Sequence, residues 1–226
     1  MRPPLQVSVV IPTLDEEDYI AGAIRSVRGH AEVLVVDGGS ADRTRERAAE
    51  EGARVLTSQR GRGQQLDLGA REATGDWIIF LHADTRLEEG WAEALAALGR
   101  EVVGGAFRFA VDSPRPVYRW VEKAVELRCR LFALPFGDQA IFARRHVYGM
   151  VGGFPPFPLM EDLHFVRRLS RAGPMALLRM RAFTSARRWE TNGVVATTAR
   201  NLWLLGMYAA GRAPERLARF YGAPHA

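Results

Sequence analysis

Apolar and polar positions alternate in blocks along the first hundred residues. Short runs of apolar or β-branched residues predict four strands, at Val7–Ile11, Val33–Val36, Arg54–Thr57 and Trp77–Leu81. Amphipathic spacing predicts helices between them, over about 15–27, over about 42–52, and from the turn at residues 61–63 to about residue 73. Strands that alternate with helices make right-handed crossovers and a parallel sheet. The pattern therefore predicts an α/β protein whose first half resembles a nucleotide-binding unit.

The second half is less regular. The spacing predicts a strand over 104–111, a helix over 117–132 and a strand over 139–143 followed by a short helix. A further helix is predicted to begin at residues 160–162, after a loop rich in glycine and proline. Two further helices are predicted at Val194–Ala210 and Glu215–Tyr221. Because no repeat or linker divides the chain, we expect one domain over 1–226, with parts at about 1–110, 111–190 and 191–226.

The strand at Trp77–Leu81 is a run of five apolar residues, and it is followed directly by His82, Ala83 and Asp84. A fully apolar strand is typical of a parallel sheet covered on both faces, and ligands bind beyond the carboxyl ends of such strands. If the segment stays extended, residues i and i+2 point the same way, so the imidazole and the carboxylate converge on one cation or ligand. The alternative is that Asp84 starts a helix and His82 is an ordinary polar residue.

Composition is that of an ordinary globular protein, with 226 residues, 47% hydrophobic and 25% charged. The net charge is +5, and Lys123 is the only lysine, so arginine carries nearly all the positive charge. Arginine binds phosphate and carboxylate groups in bidentate fashion, which admits phosphorylated ligands, nucleic acid and acidic membranes as partners. The mixed spacing of charges favours a solvated surface for most arginines.

Cellular location is predicted from cysteine and from the apolar segments. Cys129 stands alone, which excludes a disulfide framework and favours a cytoplasmic protein. Met1–Pro4 leads directly into the first strand, so we expect no secretory leader. The apolar stretch at Leu202–Ala210 is far shorter than the roughly 20 residues that span a bilayer. We expect a cytoplasmic protein, at most peripheral to the inner face of the membrane.

Acidic residues follow three of the predicted strands: Asp15 and Glu16, Asp37, and Asp84. In the usual doubly wound order the first strand lies beside the fourth, so these acids would line one crevice. Carboxylates gathered there need a cation between them, and oxygen ligands with one imidazole suit Mg²⁺ or Mn²⁺. Each acid also has a structural explanation, helix capping for Asp15 and a turn for Asp37.

Glu161 and Asp162 begin a helix, where free N–H groups favour an ionised carboxylate. An ionised carboxylate can serve as a general base if it reaches the proton, and helix capping is the competing explanation. Other motifs fail. The segment at residues 61–66 lacks the third glycine of a dinucleotide fingerprint, and the chain has no Walker lysine, no nucleophile elbow and no zinc-ligand spacing of histidines.

Four segments together resemble the inverting GT-A glycosyltransferases of family 2. They are Val9–Glu17, Val35–Thr44, Phe80–Thr85 and Glu161–Asp162, in the family's order, over about residues 7–170. The resemblance implies a GT-A fold, Rossmann-like, with a mixed, mostly parallel sheet flanked by helices and a C-terminal helical segment. It assigns residues 1–110 to the nucleotide sugar and 111–190 to the acceptor. The segments at 61–65 and 187–190, with the His-Ala-Asp form of the metal motif, look like the small bacterial branch associated with radical-SAM and selenoprotein-domain genes.

The resemblance also implies roles for single residues. The donor site would comprise Pro12, Thr13, Asp15, Glu16, Asp37, Gly38, Arg62, Gln65, His82 and Asp84. Within this site, Asp37 would accept a hydrogen bond from the base, usually uracil. Arg62 and Gln65 would contact the phosphates, or else have a surface role. Asp84, with His82, would hold Mg²⁺ or Mn²⁺ against the diphosphate. Asp162, next to Glu161, would be the base that deprotonates the acceptor hydroxyl.

This sequence departs from the family pattern at two positions. His82 stands where the family usually has the first acid of the metal motif, which leaves its contact with ribose or metal open. Ser185 stands where processive relatives have glutamine before Arg188 and Trp189, which argues against polysaccharide synthesis. The implied function is a metal-dependent inverting transfer of sugar from a nucleoside-diphosphate sugar, usually UDP-linked, to an unknown acceptor.

Two other classes stay open. A sugar-phosphate nucleotidyltransferase shares the general plan but normally has a basic, glycine-rich loop after the first strand, where this chain has Pro12–Asp15. A non-catalytic nucleotide-sugar-binding protein or an arginine-rich nucleic-acid binder is the third class, although we do not expect a nucleic-acid partner. The C-terminal helices place apolar residues at 203–205, 207 and 208 among arginines, which predicts core packing or a contact with a membrane or a second copy.

Overall fold

The computed structural model describes residues 5–132 and 135–221. Met1–Pro4, expected above to lead directly into the first strand, lie outside the described residues. The strands are β1 Val7–Thr13, β2 Glu32–Asp37, β3 Arg54–Thr57, β4 Trp77–Phe80, β5 Thr85–Leu87, β6 Gly104–Val111, β7 Phe142–Arg144 and β8 Met175–Thr184. The helices are α1 Ile20–Val27, α2 Thr44–Glu50, α3 Arg62–Glu72, α4 Trp91–Ala96, α5 Val117–Phe132, α6 Arg145–Met150, α7 Glu161–Ala172, α8 Arg187–Asn192, α9 Val194–Ala209 and α10 Pro214–Tyr221. A short 3₁₀ helix covers Gly137–Gln139.

The strands form one eight-stranded sheet in the order β3-β2-β1-β4-β7-β6-β8-β5. The first four strands in the chain run parallel, as the alternation of strands and helices predicts, and β1 lies between β2 and β4. β7 runs antiparallel to both β4 and β6, so the sheet is mixed. The predicted α/β fold, a mixed and mostly parallel sheet between helices with C-terminal helices, is confirmed.

The core lies on both faces of the sheet because the central strands are buried on both faces. All seven residues of β1 and all four of β4 are buried. One face packs against α1 through Ile20 and Ile24, and the other packs against α3 and α7 through Leu66 and Phe165. α3 lies so close to β1 that a Cβ on Gly69 would come within 2.3 Å of Val10 Cγ1.

Several predicted boundaries are wrong for local reasons. α1 begins at Ile20 rather than at Asp15, because Asp15 has a left-handed φ of 54° and starts a loop. α2 begins at Thr44, since the Asp42 carboxylate accepts the Thr44 N–H and precedes the helix. The strand predicted over 139–143 begins only at Phe142, after the 3₁₀ helix and a left-handed residue, Ala140, with a φ of 46°.

Four elements that the sequence did not predict complete the sheet and its edge. They are β5, α4, β8 and α8. β8 runs parallel to β6 and antiparallel to β5, and it ends at Thr184 beside Thr85. Arginines and apolar residues do not alternate regularly along β8, so the pattern of polar and apolar positions does not predict this strand. The end of β8 brings α8, with Arg187 and Arg188, to the site.

The C-terminal helices pack against the loop before α7. Leu204 of α9 and Leu217 of α10 are buried against Leu159. Leu204 therefore packs in the core, the first of the alternatives predicted for this segment, while Trp203 and Phe220 are exposed and contact each other with ring centroids 5.5 Å apart. No helix within residues 5–132 and 135–221 is both long and apolar enough to cross a membrane.

Candidate active site

Three strand ends meet at one edge of the sheet. β1 ends at Thr13, β2 ends at Asp37, and His82 and Asp84 follow β4, so the predicted order of strands brings these residues to a common edge. Thr13 is paired in register with Asp37, and its hydroxyl lies 3.4 Å from the Asp37 carboxylate. The meeting of separate loops at one strand edge is the arrangement in which open α/β sheets bind ligands.

Asp37 holds its own turn. One carboxylate oxygen accepts the N–H groups of Gly39 and Ser40, each at 3.0 Å, and the other accepts the Ser40 hydroxyl. The side chain is fully buried, and Arg45 lies 4.0 Å away. These contacts are those of a turn aspartate, and a contact of Asp37 with a nucleotide base stays a prediction.

The Gln65 side chain links the ends of β1 and β2 by hydrogen bonds. Its side-chain N–H group donates to the carbonyl oxygens of Thr13 and Val36, each at 2.8 Å, and the side chain is fully buried. A Cβ on Gly38 would lie 3.1 to 3.2 Å from the Gln65 amide, so the turn after β2 packs closely on it. Gln65 therefore has a packing role between the ends of β1 and β2, and a contact of its side chain with the phosphates stays a prediction.

The loop after β1 is held by the loop after β2. The Asp15 N–H donates to the Ser40 hydroxyl at 2.9 Å, and the Asp15 carboxylate accepts the Ala41 N–H at 2.8 Å. The Glu16 N–H donates to the Thr44 hydroxyl at 2.8 Å. Asp15 itself is exposed, whereas Glu16 is 2% exposed. These hydrogen bonds between the two loops hold the Glu16 side chain at the site.

Glu16, Asp84 and Arg187 form one ionic cluster. The Arg187 guanidinium is hydrogen bonded to Glu16 Oε1 and lies 3.2 Å from Asp84 Oδ2, and it stacks over the Tyr19 ring at 4.6 Å. Glu16 Oε2 is buried without a hydrogen-bond partner among the described residues. Burial raises the pKa of Glu16, and the charge of Asp84 raises it further, against the opposing effect of Arg187.

His82 lies in a turn rather than in a strand. β4 ends at Phe80, and the Thr85 N–H donates to the His82 carbonyl at 3.1 Å. The premise that His82 and Asp84 point the same way in an extended segment is therefore wrong. Burial, reinforced by the charges of Arg62, Arg188 and Arg187, holds the pKa of His82 well below its ordinary value. A neutral imidazole is the form that accepts a proton or binds a metal.

Asp162 is oriented by backbone donors. One carboxylate oxygen accepts the Gly137 N–H at 2.8 Å and the other accepts the Leu163 N–H at 2.7 Å. Gly137 also lies against His82, because a Cβ there would come within 2.9 Å of His82 Nε2 and 3.2 Å of Asp162 Oδ2. The chain thus brings the side chains of His82 and Asp162 together at one glycine.

Glu161 forms a buried ion pair beside Asp162. Its carboxylate is 1% exposed and is hydrogen bonded to Arg62, the first residue of α3. Burial raises the pKa of Glu161, while Arg62 opposes that rise. The two residues link α3 to α7, so Glu161 fixes the position of Arg62, and a direct role for Glu161 in proton transfer stays a prediction.

A cavity of about 90 Å³ opens between the site and α9. Its lining residues are Arg62, His82, Phe136, Gly137, Asp138, Leu159, Met160, Asp162, Arg188, Asn201, Leu204 and Leu205. One side is apolar and comes largely from α9 and the loop before α7, and the other carries the charged groups. Burial raises the pKa of Asp138 to about 6, although Arg128 opposes the rise. The cavity is thus a half-apolar pocket next to Asp162.

The donor set fits a divalent cation in its chemistry. Asp84 offers carboxylate oxygens and His82 a neutral imidazole. Within the described ranges, no three side chains of His, Cys, Asp or Glu come together as a complete metal site. A cation held there would therefore need oxygens from a ligand, as Mg²⁺ does when it binds phosphates with one or two carboxylates.

Sequence reasoning missed three members of the site. Arg187 reaches it from α8, Asp138 from the 3₁₀ helix, and Gly137 donates to Asp162. The sequence offers one signal, an arginine pair just before Trp189, but the pair alone does not show that Arg187 reaches Glu16 and Asp84. The unpredicted strand β8 is what carries this pair to the site.

The order of the strands defines a GT-A-type fold. Acidic residues from separate loops lie at the edge of the sheet where β1 and β4 end. The chain belongs to glycosyl transferase family 2, whose model matches residues 8–183. A curated relative, the PGL/p-HBAD biosynthesis glycosyltransferase of Mycobacterium tuberculosis, is 30% identical over 160 residues, which are 65% of this chain and 62% of the relative. This chain therefore spans less than two thirds of the length of that relative.

Solved structures share the fold. The Staphylococcus aureus TarS structure in complex with UDP-GlcNAc has a TM-score of 0.62 and 19% identity, covering 80% of this chain and 58% of that chain. The glucosyl-3-phosphoglycerate synthase of Mycobacterium tuberculosis, in complex with Mn²⁺, UDP and glucosyl-3-phosphoglycerate, has a TM-score of 0.57 and 23% identity, covering 80% and 72%. At these identities the likeness establishes the fold.

Proposed function

We propose that the protein is an inverting glycosyltransferase that moves a sugar from a nucleoside-diphosphate sugar, UDP-linked, to an acceptor hydroxyl. One observation carries the proposal: a cationic and acidic cluster at the β1 and β4 ends lies next to a half-apolar pocket that contains an oriented carboxylate. A diphosphate and an acceptor need these two environments side by side. Family membership and the UDP complexes of two proteins with this fold support it.

The chemistry is a single displacement at the anomeric carbon. The acceptor oxygen forms a bond to that carbon as the bond to the diphosphate oxygen breaks, and the nucleoside diphosphate leaves with the electron pair. Asp162 takes the acceptor proton, because its carboxylate lines the pocket and is held by two N–H donors. Arg62 and Arg188 supply positive charge along the same pocket.

The proposed cofactor is Mg²⁺ or Mn²⁺, which Asp84 would hold with His82. Such an ion, when bound, supplies positive charge that stabilises the departing diphosphate. The neutral His82 and the carboxylate of Asp84 are suitable ligands. The Mn²⁺ in the glucosyl-3-phosphoglycerate synthase complex supports the same class of ion. The metal motif and residues 187–190 also support, as a finer proposal, the radical-SAM and selenoprotein-associated branch.

The test is product analysis. The protein is incubated with a panel of nucleoside-diphosphate sugars, Mn²⁺ and a mixture of lipid and sugar acceptors, and the released nucleoside diphosphate is quantified. Release from a UDP sugar, above the release with the Asp162→Asn variant, supports the proposal. Pyrophosphate release from a nucleoside triphosphate and a sugar phosphate, with no nucleoside diphosphate formed, would identify a nucleotidyltransferase instead.

The C-terminal helices have a separate proposal. We infer that α9 and α10 touch an acidic membrane surface, because Leu202, Trp203 and Phe220 are exposed on helices that also carry arginines. Flotation with liposomes of anionic lipid should carry the protein, and a Trp203→Ser and Phe220→Ser double variant should stay behind. A dimer in light scattering, without flotation, would assign the same surface to a second copy.

A further inference from the structure

The positive charge between Glu16 and Asp84 is the guanidinium group of Arg187. Arg187 is the first residue of α8, directly after the loop that follows β8. Its guanidinium is hydrogen bonded to Glu16 and lies 3.2 Å from Asp84 Oδ2. Asp84 is the carboxylate that the proposed function assigns to a divalent ion, so one oxygen of this ligand is already paired with a positive charge.

The cluster also contains one carboxylate oxygen, Glu16 Oε2, that has no hydrogen-bond donor among the described residues. Two carboxylates share one guanidinium, and Glu16 Oε2 is buried without a partner among the described residues, on a side chain that is 2% exposed. A buried acceptor without a donor costs free energy. The arrangement therefore fits a site in which the arginine has more than one position along the two acids.

Apart from Asp84, the residues that hold the Arg187 guanidinium come from a single loop. Glu16 and Tyr19 belong to the loop after β1, and the Tyr19 ring lies 4.6 Å from the guanidinium carbon. Asp84 belongs to the turn after β4. If the contact with Asp84 is lost, the hydrogen bond to Glu16 and the stacking on Tyr19 remain. The guanidinium can then release Asp84 without leaving the site.

We propose that Arg187 is a built-in counter-ion that pairs with Asp84 before the donor arrives and gives up this carboxylate when a divalent cation enters with the diphosphate. The inference rests on the proposed function, since it concerns the same donor site. It makes Arg187 a positioning residue and explains how a lone metal ion is kept off Asp84. Metal and nucleotide then bind together, because each favours release of Arg187.

The test measures metal binding without any nucleotide or turnover. Mn²⁺ is titrated into the protein, and the signal of free Mn²⁺ is followed by electron paramagnetic resonance. Arg187→Gln removes the competing charge, so we expect Mn²⁺ to bind about tenfold more tightly than in the wild type, within the range typical of coupled sites. Arg187→Lys keeps the charge and should bind Mn²⁺ as weakly as the wild type.

Three further variants keep the test decisive. Arg187→Gln leaves Glu16 buried without its partner, so the double variant Glu16→Gln with Arg187→Gln removes both charges and should show the same gain. Arg54→Gln breaks an exposed pair with Glu72 and is the matched control, with no expected change. Adding Asp84→Asn to Arg187→Gln should abolish the gain, because Asp84 is the ligand in question.

The outcomes separate this inference from the proposed function. Equal or weaker Mn²⁺ binding in both variants that lack Arg187 would overturn the counter-ion role, and so would a gain that survives Asp84→Asn. If the wild type nevertheless binds UDP with Mn²⁺, the proposed function stands. If the wild type binds no nucleotide while the Arg187 variants gain metal affinity, the counter-ion role stands and the transferase proposal fails.

Discussion

Breaking the buried pair between Arg62 and Glu161 should destabilise the protein strongly. Glu161 is 1% exposed and the Arg62 side chain is 23% exposed, so Arg62→Met leaves a carboxylate without a counter-charge in the interior. Removing one partner of a buried ion pair costs about 3–5 kcal/mol. Because Arg62 keeps some contact with water, we expect a loss at the lower end, about 3 kcal/mol in the free energy of unfolding.

The pH dependence has a definite sign. Burial already raises the pKa of Glu161 in the wild type, and Arg62 opposes that rise, so Arg62→Met raises the pKa further. A carboxyl group with a folded pKa above its unfolded value destabilises the protein at high pH and ceases to do so when it is protonated. The loss caused by Arg62→Met should therefore be largest at neutral pH and shrink as the pH falls toward the unfolded value of about 4.5.

The assay is urea unfolding at pH 7.5 and pH 5, followed by fluorescence and circular dichroism. The double variant Arg62→Met with Glu161→Gln removes both charges and should recover about 2 kcal/mol of the loss, which closes a double-mutant cycle. Arg54→Met, at an exposed pair, should cost at most about 1 kcal/mol. A loss below about 1 kcal/mol in Arg62→Met, or no recovery in the double variant, would refute the buried-pair reasoning.

Three further predictions concern single residues. Asp162→Asn should lower transfer by about 10²–10⁴-fold with UDP affinity unchanged in calorimetry, and unchanged turnover would exclude Asp162 as the base. Burial raises the pKa of Asp138 to about 6, so wild-type thermal stability should fall between pH 4 and pH 7. Asp138→Asn should flatten this profile, and an unaltered slope would exclude Asp138 as its source. Gly69→Ala should cost about 1–3 kcal/mol in urea unfolding, because its Cβ would lie 2.3 Å from Val10 Cγ1, and this overpacking outweighs the roughly 1 kcal/mol that alanine gains in a helix. A stabilised Gly69→Ala variant would contradict this close packing.

The parallel half of the fold could be predicted because three of its strands, β1, β2 and β4, are buried almost throughout. Runs such as Val33–Val36 have few polar residues, and periodicity shows them directly. β8 is different. It carries arginines at positions 179 and 181 and is partly exposed along much of its length, so its polarity does not alternate cleanly. Its place is set by pairing with β6 and β5, which are distant in the sequence.

The candidate site was predictable where it depends on strand ends and not where it depends on side-chain partners. That Asp37 and Asp84 lie at the same edge of the sheet follows from the order of β2, β1 and β4, which chain connectivity favours. That Gln65 faces two carbonyl groups, or that Arg187 lies between two acids, depends on contacts between residues far apart in the chain. Spacing along the sequence carries no information about such contacts.

The proposed activity depends most on a metal-assisted diphosphate site at Asp84. Isothermal titration calorimetry of UDP, with Mn²⁺ and with EDTA, tests it in the wild type and in Asp84→Asn. We expect Mn²⁺ to tighten UDP binding at least about tenfold in the wild type and to have no effect in Asp84→Asn, because the carboxylate is lost as a ligand. UDP binding that is unaffected by Mn²⁺ in the wild type, or Mn²⁺-dependent binding retained in Asp84→Asn, would contradict it.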